Sequence, residues 1–143
     1  MADTIFTKII NGEIPSHRVY EDELVFAFLD IGPLSAGHTL VIPKEAVETI
    51  DQLSDESAAA IGRVLPRISR AVLQATGASA FNILQNNGAD AHQEVPHVHF
   101  HIIPRFKDRA DDASGLGVIW NSGGFDHRDG AALAERIAGL LDA

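Results

Sequence analysis

Apolar positions along the chain fall into periodic segments separated by turn residues. Ile5, Phe6, Ile9 and Ile10 recur at helical spacing, and Gly12 is placed to end a short helix. Val19-Tyr20-Glu21-Asp22 reads as a strand end and turn. Leu24 to Leu29 is an apolar strand, followed by a turn through Gly32-Pro33. His38 to Ile42 is a further strand, stopped by Pro43. Together these segments predict a meander.

The longest periodic segment runs from about Asp55 to Thr76. Ile61, Val64, Leu65, Ile68, Val72 and Ala75 form one apolar stripe. Ser54 is a suitable N-cap, Asp55 and Glu56 suit the first turn, and Gly77 suits the C-terminal stop. Pro66 lies inside the pattern and is expected to kink the helix. Ala80 to Gln85 then reads as a strand and Asn86-Asn87-Gly88 as a turn. A strand from about Val98 to Ile103, ended by Pro104, follows. Arg105 to Gly117 is polar and loop-like. A final helix from about Gly130 is expected to bury Leu133, Ile137, Leu140 and Leu141. Strands grouped before and after one long helix predict an α+β fold. Its antiparallel sheet has about five strands, with a short N-terminal and a C-terminal helix, in a single domain over 1–143.

The chemistry concentrates in one run, His97-Val98-His99-Phe100-His101-Ile102-Ile103. On a strand, alternate residues share a face, so the histidines face one way and Val98, Phe100 and Ile102 the other. An exposed polar strand face would more naturally alternate Thr, Lys and Glu. Imidazoles so arranged suit metal ligation or nucleophilic attack on an electrophile such as phosphorus.

Composition narrows the field. A chain of 143 residues with 45% hydrophobic and 22% charged residues is ordinary for a globular protein. A formal net charge of -9 argues against a nucleic-acid polymer as partner, though not against a small phosphorylated ligand. There is no cysteine, hence no thiolate metal site, and this fits a reducing compartment. No apolar run approaches a membrane span, and Met1 to Ile10 lacks a signal-peptide core, so the expected location is the cytoplasm.

The triad run resembles the signature of the histidine-triad (HIT) family, His-φ-His-φ-His-φ-φ with φ apolar. Ile5 to Pro15, Phe28-Leu29-Asp30-Ile31, Gly37 to Lys44, Asn86-Asn87-Gly88 and Gln93 resemble other family segments, covering about the first three quarters of the chain. The resemblance implies a hydrolase acting at the α-phosphorus of a purine nucleoside phosphate derivative, with no cofactor, as a homodimer. By position, His99 is the nucleophile, its tautomer fixed by a bond from Nδ1 to the His97 carbonyl. His101 meets phosphate oxygen or the leaving atom, and His97 and His38 form a supporting relay. Asp30 accepts from the ribose hydroxyls. Ile5, Phe6, Ile9, Phe28 and Ile31 wall the base slot. Asn86 donates to ribose or phosphate, and Gln93 lines the phosphate site with backbone amides near Glu94 and Val95.

The chain also departs from the family. Some members hold a structural zinc with a Cys-x-x-Cys pair, a histidine after the second motif and the first triad histidine. Here those first positions are Thr4, Thr7 and Ala46, so no metal is expected. Glu94 stands where many members have Ser or Thr, and His92 where a small residue is common. Glutamine at the third triad position marks the family's transferases, so His101 implies a hydrolase. Phosphoramidates and dinucleoside polyphosphates both remain open as substrates, and the resemblance also admits a non-catalytic nucleotide-binding regulatory module.

Overall fold

The computed structural model describes residues 3–107, 116 and 120–141. The elements in chain order are α1 (Ile5–Ile10), β1 (Arg18–Glu21), β2 (Val25–Leu29), β3 (Thr39–Pro43), α2 (Asp55–Thr76), β4 (Ala80–Gln85), β5 (Phe100–Arg105) and α3 (His127–Leu140). One antiparallel sheet of five strands has the order β1-β2-β3-β5-β4. The expected α+β architecture and its meander are both present.

The two faces of the sheet bury different sets. On one, Val25, Ala27, Val41 and Ile102 pack against Ala60, Ile61, Val64, Ile68 and Val72 of α2. On the other, Phe26, Phe28, Leu40 and Ile42 pack against Phe6 and Ile9 of α1. The Ser54 hydroxyl accepts the Ser57 amide at 3.1 Å, and Gly77 closes α2 in the left-handed conformation at φ 79°. The helix runs unbroken through Pro66. Ala75 is exposed, while Ser57 and Ser69 join the buried stripe.

Several expectations are corrected. The triad strand begins at Phe100, not Val98, because Val98 donates its amide to the Val47 carbonyl at 2.9 Å instead of joining the ladder. The strand also continues through Pro104 to Arg105. Pairing with β3 ends at Ile102, so Pro104 has only β4 beside it, where a missing amide is tolerated. Pro43 likewise is a ladder residue, opposite Val25. Finally, α3 begins at His127, where the Asp126 carboxylate caps the Arg128 and Asp129 amides at 2.9 and 3.2 Å. Leu133, Ile137, Leu140 and Leu141 are not buried in the single chain but 54–77% exposed. The loop expected over Arg105 to Gly117 lies mostly outside the described residues.

Candidate active site

A cleft of about 660 Å³ opens on the sheet face opposite α2. Its floor follows from strand register. Leu40 of β3 and Leu84 of β4 both stand opposite His101 of β5, so the three share that face. Ile5 and Phe6 of α1 form one wall, and the segment after β2 (Asp30, Gly32, Leu34) another. Asn86, His92, Glu94 and Val95 close the third side, with His38 and His99 between them.

The imidazoles hold one another in defined tautomers. The Leu34 amide donates to Nδ1 of His38 at 3.0 Å, so that nitrogen carries no proton. In the neutral ring the proton is therefore on Nε2, which lies 2.9 Å from Nδ1 of His101 and donates to it. His101 must then carry its own proton on Nε2. The Nδ1 of His99 lies 2.7 Å from the His97 carbonyl, which can only accept, so His99 keeps a bare lone pair on Nε2. A donor and a lone pair on neighbouring rings, centroids 5.0 Å apart, are what displacement at phosphorus requires.

Electrostatics keep these rings neutral. Burial pushes His101 down to about 4, reinforced by His99 and His38 and opposed by Asp30. Burial also lowers His99, against the His97 carbonyl and the charges of Asp30 and Glu94. His38 and His97 are lowered by burial too. The Phe6 ring meets His99 edge-on at 5.0 Å, part of the apolar surround that removes water.

Of the residues singled out in the sequence, Ile5, Phe6, Asp30, His38, Asn86, Glu94, Val95, His99 and His101 line the cleft. Others do not. Ile31 is 87% exposed. Ile9 and Phe28 lie in the core behind Phe6. Gln93 braces the loop instead: its oxygen accepts the Gly88 amide at 2.7 Å, and its nitrogen donates to the carbonyls of Glu48 and Val95 at 2.7 and 3.0 Å. The expected relay of His97 with His38 is replaced. His38 bonds His101, while the fully buried His97 ring donates from Nε2 to the Pro43 carbonyl at 2.8 Å and leaves Nδ1 unpartnered. It is the His97 backbone, not its ring, that orients His99. Leu34, Leu40 and Leu84 were not anticipated as lining residues. Two of the three could have been found by placing apolar neighbours opposite His101 in the ladder.

Thr4 and Thr7 do not suit zinc. Their hydroxyls cap each other's amides reciprocally at the start of α1, Thr4 N–H to Thr7 Oγ1 at 2.8 Å and Thr7 N–H to Thr4 Oγ1 at 3.4 Å. Among the described residues one group has metal-ligand spacing: single ligand atoms of Asp30, His38 and His101 lie within 4.8 Å of one another. Asp30 holds the Gly32 amide at 2.8 Å through one oxygen, and its other oxygen lies 3.6 Å from His38 Nε2.

The chain is 46% identical over 137 residues to the adenosine 5'-monophosphoramidase of Schizosaccharomyces pombe, covering 96% of this chain and 97% of that protein. It is 47% identical over 103 residues to an adenylylsulfatase of Arabidopsis thaliana, covering 72% of this chain and 52% of that one. The crystal structure of a HIT family member from Bacillus subtilis superposes with a TM-score of 0.91 at 40% identity, covering 99% of both chains. The HIT domain profile matches residues 11–108, and the chain belongs to that family.

Proposed function

We propose that the protein hydrolyses a purine nucleoside phosphoramidate at its α-phosphorus through a covalent nucleotidyl-His99 intermediate. The observation that carries the reading is the opposed tautomer pair, a lone pair on His99 Nε2 beside a proton on His101 Nε2. In the first step the His99 lone pair forms the P–N bond. The substrate's own P–N bond breaks, and the amine leaves with that electron pair and a proton supplied at His101 Nε2. Positive charge on the His99 ring is met by the His97 carbonyl. Water then attacks phosphorus, gives its proton back to His101 and frees a nucleoside monophosphate and the neutral His99 ring. Asp30 is assigned the ribose hydroxyls, Asn86 ribose or phosphate, and Ile5 and Phe6 one side of the base.

The relatives named as monophosphoramidase and adenylylsulfatase support hydrolase chemistry of this kind. The test is acid-quenched single turnover followed by intact mass. The wild type should gain one nucleotide per active chain, and His99→Ala should gain none. Full activity of His99→Ala would end the proposal.

The second reading is metal-assisted hydrolysis on Asp30, His38 and His101, favoured only by their spacing. His38 Nε2 and His101 Nδ1 already serve each other at 2.9 Å, so an ion would have to break that bond. Turnover undiminished by chelator separates the two.

The working unit is proposed to be a homodimer in the cytoplasm. β4 is an edge strand carrying Phe81 and Ile83, which are 38% and 46% exposed. Beside them Leu65, Pro66 and Leu73 of α2 complete an apolar groove. A long exposed apolar edge invites pairing with a second copy. Among the described residues no helix is long and apolar enough to cross a membrane.

A further inference from the structure

We infer that Glu94 selects the charge of the leaving group, favouring phosphoramidates whose amine carries a second, distal ammonium and disfavouring polyphosphate. The inference rests on the proposed phosphoramidate chemistry and narrows it to a substrate class.

The cleft has an unusual charge inventory for a site that takes a phosphate ester. Its charged lining side chains are Asp30 and Glu94, and no Lys or Arg lines it among the described residues. The site imidazoles His38, His99 and His101 are held neutral by burial. A chain of further phosphates would therefore bring several negative charges toward two carboxylates, with no fixed cation to meet them among the described lining residues. One phosphoryl group with a nitrogen leaving group brings one.

The two carboxylates are not equivalent. Asp30 is committed to the Gly32 amide and sits beside His38. Glu94 is exposed and makes no hydrogen bond or ion pair with any described residue. Its backbone is nevertheless fixed, because the neighbouring Gln93 is tied to Gly88, Glu48 and Val95. Glu94 shares the cleft wall with the nucleophile, close enough for its charge to act on the His99 ring. A carboxylate held at that place with no partner among the described residues is complementary to a cation arriving with the substrate. The P–N bond breaks as before: the reacting nitrogen leaves with the bonding pair and a proton, while the distal ammonium stays paired with Glu94.

The test compares kcat/KM for two adenosine 5'-phosphoramidates at low salt. One carries a linear diamine, the other an alkylamine of the same length. The wild type should prefer the diamine amide by about threefold to fivefold, the range of a partly exposed ion pair, and added salt should shrink the ratio. Glu94→Gln should bring the ratio close to unity. Glu94→Lys should invert it and raise turnover of a diadenosine polyphosphate by about tenfold. A ratio unchanged in Glu94→Gln, or no wild-type preference, overturns the inference while leaving the phosphoramidase reading intact. Turnover of neither phosphoramidate overturns both.

Discussion

His38 Nε2 and His101 Nδ1 lie 2.9 Å apart, and the direction of that bond is set from outside by the Leu34 amide at His38 Nδ1. A backbone donor on a loop thus decides which nitrogen of a ring two residues away in the bonded chain offers a proton to the cleft. At neutral pH, ring nitrogen spectra should show His38 and His101 protonated on Nε2 and His99 on Nδ1. A proton on Nδ1 of His101 would contradict the arrangement.

Replacing His38 tests the same chain kinetically. His38→Ala should lower kcat by about tenfold to a hundredfold, because His101 loses the partner that fixes its tautomer. KM should change little, since His38 is 3% exposed and its Nε2 is taken up by His101. Steady-state kinetics on a phosphoramidate give both constants.

The pH dependence has a definite sign. His101 is held near 4 in the folded chain against 6.5 for a free imidazole, so the unfolded state takes the proton first as pH falls. What it contributes is fully present above about 6.5 and is lost as pH falls toward 4. His38, His97 and His99 act in the same direction. Urea midpoints should therefore drop between pH 6.5 and 4, less steeply in His101→Gln. Turnover should persist below pH 6.5, since His99 also stays neutral there.

Gly37 carries φ 91°, and a Cβ there would sit 2.6 Å from Thr76 Cγ2. Gly37→Ala should cost about 1–3 kcal/mol and reduce activity through the adjacent His38. Adding Thr76→Ser removes the crowding methyl but not the backbone strain. The double variant should recover part of the loss, as read by thermal or urea unfolding.

At the N-terminus, Thr4→Ala removes the cap of α1 and should cost about 1 kcal/mol. The loss should be the same with and without chelator. A chelator-sensitive wild type would argue against the hydroxyl cap as the closure.

Much of this was legible where local chemistry and tertiary packing agree. Ser54 and Gly77 bound α2 because a cap and a left-handed stop need those residue types wherever the helix docks. The His99 tautomer, implied by the family resemblance, rests on a bond within two residues of chain. Legibility failed where a partner is remote. Nothing near Val98 announces that its amide goes to Val47, and nothing near Gln93 announces the Glu48 carbonyl. The apolar stripe of α3 reads as a buried face, yet it lies open in the single chain. Periodicity gives the side of a helix that seeks cover, not the molecule that provides it.

The long reach of the His38–His101 bond has a kinetic consequence. The two residues are 63 apart in sequence, and α2 and β4 lie between β3 and β5 along the chain. Such non-local closure is slow relative to helix formation. The proton-bearing nitrogen of His101 is therefore expected to be defined late in refolding. Regained helical signal should precede regained turnover, and the lag between them times the zipping of the central ladder.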